Sequence, residues 1–552
     1  MARRIGLALV ILTGVALGLR LAAPWLILHG PGWLARLRDP IGPNQPVVWQ
    51  PGPATPAAPA GARPPNIVVI LADDLGWNDL TFGGGGVANG AVPTPRIDSL
   101  ARDGVSFRAG YTGNATCAPS RAAIMTGRYP TRFGFEFTPA PKAFMRLVAH
   151  WSQDSPRPPI YHDEREKDVP SLADEGLPES EITIAELLRG AGYRTLGLGK
   201  WHLGESPQFR PDSQGFDQFL GFLPGASMYL DKDDPNAVNS VQDFDPIDQF
   251  LWANLTWSVR MNGGPRFEPA GYMTDYLADE AVKAIEANRN RPFFLYLAFN
   301  APHTPLQATR ADYDALPQIT NHTLRVYAAM IRALDRGVGK VLDALAKNGL
   351  DENTLVVFTS DNGGANYVGL PDLNKPFRGW KMTFFEGGVH APFFVRWPAR
   401  LPAGGHFDEP VAHVDVFATA AGAAGVPLPA DRKYDGVNLI PYARGEAQGP
   451  PHRSLFWRSG GYRTLLADGW KLQVSEQPKQ TWLFDLRDDP TEQREVAAQN
   501  PEKLRELETA LAAEEAQMVK PLWPSLIEGP IPVDHPLGVP DSPDDTVVYW
   551  AN

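Results

Sequence analysis

The sequence predicts an α/β fold: a large mixed, mostly parallel sheet flanked by helices, followed by a small C-terminal antiparallel sheet plus helix. Three observations predict it. From Asn66 onward, apolar runs of strand length alternate with amphipathic stretches of helical period. Several of those runs end in charged or amide residues, as strands buried on both faces do where they open onto a polar crevice. Beyond Pro451 the texture changes to short alternating stretches.

The elements follow in chain order. Met1 to Arg4 is basic, Ile5 to Leu19 is apolar, Arg20 interrupts, and Leu21 to Leu28 resumes the apolar run. Residues 1–38 therefore read as a signal peptide or a membrane anchor. As a helix, Ile5 to Leu28 would be about 36 Å long, enough to cross a bilayer. Either reading sends the protein out of the cytoplasm, to the periplasm or beyond, possessing a tie to the membrane if the segment is kept. Residues 39–65, with PGPATPAAPAGARPP, read as a stiff Pro/Ala-rich linker. The main domain is assigned to 66–450. It opens with NIVVILADD as a strand, then PRIDSLARDG as a helix closed by Gly104 and ITIAELLRGAG as another. YRTLGLGKW, RPFFLYLAFN and NTLVVFTSDNGG are further strands, and TLRVYAAMIRALDRGVGKVLDALAKNG is a long amphipathic helix. Residues 451–520 carry SLFWR, YRTLLAD, WKLQVS and TWLFDLR as short strands and a last helix from Pro501 to Ala516. Residues 521–552 form a proline-rich tail that wraps or frays.

Composition narrows the function classes. At 43% hydrophobic and 21% charged residues, the 552-residue chain is globular. Its net charge of -12 makes it a poor binder of nucleic acid phosphates. The single cysteine, Cys117, excludes an intrachain disulfide and any multi-cysteine zinc site.

The strand ends carry the chemistry. Asp73, Asp74, Asp361 and Asn362 supply hard oxygen ligands of the kind Ca²⁺ or Mg²⁺ takes, although turn formation or helix capping also uses such pairs. Lys200 and His202 are two apart and share a side if the chain is extended there. His303 follows another strand. Within Thr116-Cys-Ala-Pro-Ser-Arg-Ala-Ala-Ile-Met-Thr-Gly127, Pro119 favours a first helical turn and Gly127 a helix end. Cys117 then sits at the helix N-terminus, and Arg121 lies four residues on, near the same face.

The motif C-x-P-S-R at Cys117 to Arg121, with Gly127 behind it, resembles the sulfatase signature. GKWHLG (Gly199 to Gly204), APHTPLQ, SDNGG and KMTFFEGG (Lys381 to Gly388) match the same family, and LFDLRDDPTEQREV resembles its C-terminal subdomain. The resemblance runs from about Pro65 to Ala516. It is to formylglycine sulfatases of the alkaline-phosphatase superfamily, in texture nearest to arylsulfatases and N-acetylgalactosamine-sulfate sulfatases. It implies hydrolysis of aryl or carbohydrate sulfate esters by a formylglycine hydrate, made from Cys117 by a formylglycine-generating maturation enzyme. It also implies one Ca²⁺, with Mg²⁺ as the alternative, held by Asp73, Asp74, Asp361, Asn362 and the modified Cys117. Arg121 would hold the hydrate and neutralise its alkoxide. Lys200, Lys381 and His303 would bind sulfate oxygens, His303 or Lys381 would protonate the departing alcohol, and His202 would be the base that releases sulfate. His390 stands where the family frequently has arginine and is left outside the site. Two other activities fit the same residues: hydrolysis of phosphonate monoesters or phosphodiesters by the same nucleophile, and non-catalytic binding of sulfated glycans.

The remaining features read blandly. Trp252 and Trp257 are expected to pack, Phe135 to Glu175 forms a rim or surface insertion, and the sequons at Asn114, Asn254 and Asn321 are taken as chance.

Overall fold

The computed structural model describes Trp25 and residues 28–59, 62–153 and 155–552. Most of the expected N-terminal signal or anchor, residues 1–24 with 26 and 27, lies outside them. Among the described residues no helix is long and apolar enough to cross a membrane.

The core is one 11-stranded mixed sheet. Its centre is five parallel neighbours in the order Gln218–Phe222, Arg194–Lys200, Phe293–Pro302, Asn66–Asp73 and Thr354–Ser360. Asn66–Asp73 is buried along its whole length, which is why it reads as an unbroken apolar run. Its side chains alternate between layers: Val68, Ile70 and Ala72 enter one core, and Ile67, Val69 and Leu71 enter the other. Pro95–Arg102, Met273–Asn288 and His322–Lys347 cover the first face, and Cys117–Thr126, Ile184–Gly190 and Asp415–Ala424 the second. Because the central strands run the same way, their carboxyl ends meet at one edge.

A four-stranded antiparallel sheet follows, with strands Leu455–Ser459, Tyr462–Ala467, Trp470–Glu476 and Lys479–Asp485, covered by the helix Pro501–Glu515. Two peripheral segments are more structured than their composition implies. In the stretch read as a linker, Ile41–Gly42 pair with Arg266–Phe267 at the sheet edge. Trp49 is buried there, its indole N–H donating to Glu280 at 2.9 Å. The tail wraps: Ile527–Pro532 and Val547–Ala551 form a hairpin that also pairs with Ile160–Tyr161 of the Phe135 to Glu175 insertion. Proline-rich composition lowers internal pairing, but a single buried tryptophan and a free sheet edge are enough to fasten such a segment.

The three sequon asparagines all have structural partners. Asn321 accepts the Leu324 N–H and caps the long helix, Asn254 donates to the Leu28 and Phe250 carbonyls, and buried Asn114 donates to the Arg458 carbonyl. Trp252 donates to Asp248 one helical turn earlier, and Trp257 packs against the core.

Candidate active site

The carboxyl edge of the parallel strands collects the candidate catalytic and metal-binding residues. Asp73 ends its strand and Asp74 turns away at φ 62°; Lys200 ends its strand and His202 sits at φ 59°. His303 follows Phe293–Pro302, Asp361 and Asn362 follow Thr354–Ser360, and Lys381 precedes Met382 at φ 66°. Left-handed backbone is rare for non-glycine residues, and its recurrence at three of these turns marks a crevice imposed on the chain. The extended spacing expected for Lys200 and His202 is therefore not what relates them: the strand stops at Lys200, and a bend places His202. Gly225 makes room for that ring, since a Cβ there would lie 2.6 Å from His202 Nε2.

Cys117 opens the helix Cys117–Thr126, all ten residues of which are buried. Gly127, at φ 66°, closes it by donating to the Ala123 carbonyl at 2.9 Å. Cys117 Sγ lies 3.1 Å from Lys381 Nζ and 4.0 Å from Asp74 Oδ1. Burial pushes the thiol up to about 12, against the pull of Lys200 and Lys381. The unmodified side chain is thus a neutral thiol at neutral pH.

Three buried carboxylates face three buried cations. Lys200 Nζ holds both Asp73 oxygens at 2.9 and 2.7 Å, and Lys381 Nζ holds those of Asp74 at 2.7 and 3.0 Å. Arg121 binds Asp361 through Nε and an Nη at 2.9 and 2.7 Å and donates to the Lys200 carbonyl at 3.0 Å. Burial alone would raise Asp73 and Asp74, yet Lys200 and Lys381 respectively hold them below the usual carboxylate range. Lys381 is lowered by burial but raised more by Asp74 and Cys117, so it stays firmly cationic. His303 lies with Nε2 3.6 Å from Asp74, while its Nδ1 faces the Thr304 carbonyl at 2.5 Å. That carbonyl can only accept, so Nδ1 carries the proton and neutral His303 presents a bare Nε2. Burial, more than its charged neighbours, lowers His303 to about 4. Burial and then the Lys200, Arg121 and Lys381 charges hold His202 well below the usual imidazole range.

These residues fit a hard divalent cation. Donor atoms of Asp73, Asp74, Cys117 and His303 lie within 4.8 Å of one another. Asn362 Nδ2 donates to Asp74 at 2.7 Å and to the Gly363 carbonyl at 2.9 Å, but its Oδ1 is buried with no partner. A buried orphan acceptor is costly, and beside Asp73, Asp74 and Asp361 it is the oxygen a calcium-sized ion would take.

Some functional groups gave no sequence signal. Tyr367 donates to Asp74 Oδ2 at 2.7 Å and accepts from Lys381 at 2.9 Å, tying the carboxylate to the ammonium. The C-terminal sheet buttresses the Lys381 to Gly388 loop. Tyr462 OH accepts the Phe384 N–H at 3.1 Å, and Glu492 accepts the Glu386 N–H at 2.5 Å. The Glu386 carboxylate in turn receives Lys471 at 2.7 Å, Tyr111 OH at 3.0 Å and His390 Nδ1 at 2.7 Å. His390 Nε2 faces the Arg108 carbonyl at 2.8 Å. The ring thus spans two acceptors, as an arginine fork could, and belongs to the buttress. A cavity of about 440 Å³ lies beside it, lined by Tyr111, Glu386, His390, His452 and Arg453 and by none of the strand-end residues.

The comparisons agree with this architecture. The family model described as Sulfatase matches residues 65–426. Steryl-sulfatase of Mus musculus is 36% identical over 473 residues, covering 75% of this chain and 69% of that protein. N-acetylgalactosamine-6-sulfatase of Mus musculus is 35% identical over 418 residues, covering 74% and 71%. The solved structure of Ps i-CgsB in complex with k-i-k-neocarrahexaose is similar with a TM-score of 0.68 and 33% identity, over 84% of this chain and 95% of that one. With an alkaline-phosphatase-like sheet, a crevice at its carboxyl edge and relatives of this identity and coverage, the chain belongs to the sulfatase family of sulfuric ester hydrolases.

Proposed function

We propose that this protein hydrolyses aryl or carbohydrate sulfate esters to alcohol and inorganic sulfate, using a formylglycine made from Cys117 by a maturation enzyme and a bound Ca²⁺. The observation that carries the reading is the meeting of Cys117 with Asp74 and Lys381 at the mouth of a charge-balanced, buried cluster. A thiol raised to about 12 is a poor nucleophile as it stands, which supports its conversion. Once formed, the formylglycine hydrate would offer two hydroxyls on one carbon, one to displace the alcohol at sulfur and one to release the sulfate. Asp73, Asp74, Asp361, Asn362 and the modified residue would hold the metal, which when bound would supply positive charge to acidify the attacking hydroxyl and steady the sulfuryl oxygens.

The chain's own residues do the rest. Three carboxylates and three cations balance, so a dication leaves the crevice net positive and suited to a sulfate monoester. Lys200 and Lys381 bind its oxygens, and Arg121, braced by Asp361, stabilises negative charge on the nucleophile. Lys381, cationic and nearest Cys117, is the proton carrier toward the leaving alcohol. His303 contributes Nε2 as an acceptor that orients the alcohol. His202, held neutral with an unpartnered buried Nδ1, is the base for sulfate release. The N-terminal segment directs the chain to the periplasm or the extracellular side. Peptide mass of the Cys117 region, joined to rates on sulfate, phosphate and phosphonate esters, tests the reading. An intact thiol in fully active protein, or faster phosphonate than sulfate hydrolysis, would overturn it.

A further inference from the structure

The helix over residues 28–38 turns its apolar side away from the protein. Trp33 is 65% exposed, Leu37 61% and Leu34 42%, and Trp25 ahead of them is 61% exposed. At about 100° per residue, Trp33, Leu37 and Leu34 fall within one arc of about 100°. Exposed Arg38 and Arg36 flank that arc on either side. The opposite side of the helix is the one attached to the body. Buried Gly32 donates its N–H to Asn254 Oδ1 at 2.6 Å, and Asn254 Nδ2 donates to the Leu28 carbonyl at 2.8 Å. A Cβ at Gly32 would lie 2.8 Å from the Asn254 backbone, so the glycine allows the close approach. The helix is thus docked through backbone polar groups, and its bulky residues remain exposed.

We infer that this face seats in the headgroup and acyl boundary of an anionic lipid bilayer. Three features select that occupant. Tryptophan and leucine flanked by arginine is the composition of an interfacial helix. The local arginines complement lipid phosphates, although the whole chain carries -12 and would otherwise be repelled. The apolar run Ile5 to Leu28 joins this helix with no spacer, so a membrane that holds the run lies directly against the face. Asn254 then fastens the catalytic body to the surface, and the protein lies on the membrane where a tether through residues 39–65 alone would let it swing. This inference is independent of the reaction proposed above.

Depth of insertion is the measurement, because the apolar run binds vesicles by itself. The chain has 15 tryptophans, so an extrinsic label is needed, and its one cysteine is buried and does not compete for the label. In the full-length protein, Leu34→Cys, Leu37→Cys and the exposed control Lys347→Cys each carry an environment-sensitive fluorophore. The variants are mixed with vesicles of phosphatidylcholine and phosphatidylglycerol. Labels at 34 and 37 should shift to the blue and be quenched by nitroxide lipids, while the label at 347 should not. Trp33→Ser should lower lipid quenching at position 37 about tenfold or more. Arg36→Gln with Arg38→Gln should abolish the preference for phosphatidylglycerol. Equal quenching of all three labels by aqueous iodide would overturn the inference. So would burial of the 37 label that rises with protein concentration in the absence of lipid, which would assign the face to a second copy of the chain.

Discussion

Lys471→Met tests whether the C-terminal sheet buttresses the reaction crevice. Lys471 is fully buried, its ammonium 2.7 Å from Glu386 and 3.1 Å from Glu492. Methionine keeps the length and deletes the charge. Burial raises Glu386, yet Lys471 and then His390 hold it at about 2, so deleting the lysine removes the main charge that keeps this buried carboxylate ionised and leaves His390 to do so. Glu492, pushed up to about 7 chiefly by burial even with the lysine present, is the first of the two to take a proton. Removing one partner of a buried pair costs about 3–5 kcal/mol. Against a total of about 5–15 kcal/mol, this should lower the urea midpoint by about 1–2 M. The same lesion loosens the loop that aims Lys381. A displacement of about 1 Å there is expected to cost about 100-fold in turnover per folded molecule. Urea unfolding and steady-state rates on an aryl sulfate read the two effects. Adding Glu492→Gln removes one stranded carboxyl and should restore roughly half of the lost stability. A loss below about 1 kcal/mol, as for an exposed pair, or a double variant no more stable than the single one, would refute the reasoning.

Three further outcomes are expected. Asp361→Ala removes a candidate ligand and strands Arg121, so calcium affinity by calorimetry should fall at least about 100-fold along with turnover; undiminished activity after both the substitution and chelation would make the cluster structural. Cys117→Ser has one hydroxyl where the proposed hydrate has two, so it should perform at most one turnover and carry a stable sulfate adduct by mass spectrometry; sustained turnover without adduct would exclude the proposed route. His413, held at about 3 by burial between Ser120 and Thr359, stays neutral in the fold while the unfolded chain protonates below its ordinary 6.5. Its contribution to stability therefore falls as pH drops from 6.5 toward 3, by about 2 kcal/mol at about pH 5. The stability gap between wild type and His413→Gln should shrink by that amount in urea titrations, and a gap that does not change with pH would contradict the linkage.

Much of the crevice was legible because its signals are local. A strand buried on both faces reads as a continuous apolar run, so Asp73, Asp361 and Asn362 stood out as the first charged or amide residues beyond Ile67 to Leu71 and Leu355 to Phe358. Helical period put Arg121 near Cys117, and a proline and a glycine bounded that helix. The positive φ at His202 and Met382 was invisible, since only a few per cent of non-glycine residues adopt it and no local pattern marks which ones do. Gly225 and Tyr367 were likewise silent, because each acts through space on a partner from another segment.

By itself, then, the sequence determined which residues are chemical and which faces are buried, because composition and period encode both within a few residues. Tertiary structure alone decided who meets whom. Lys471 reaches Glu386 across 85 positions, Arg121 is committed to Asp361 across 240, and Asn362 finds Asp74 across 288. Such pairings follow from the order and register of a parallel sheet and from the need to satisfy every buried charge at once. Both are properties of the assembled core, which no local stretch of chain carries.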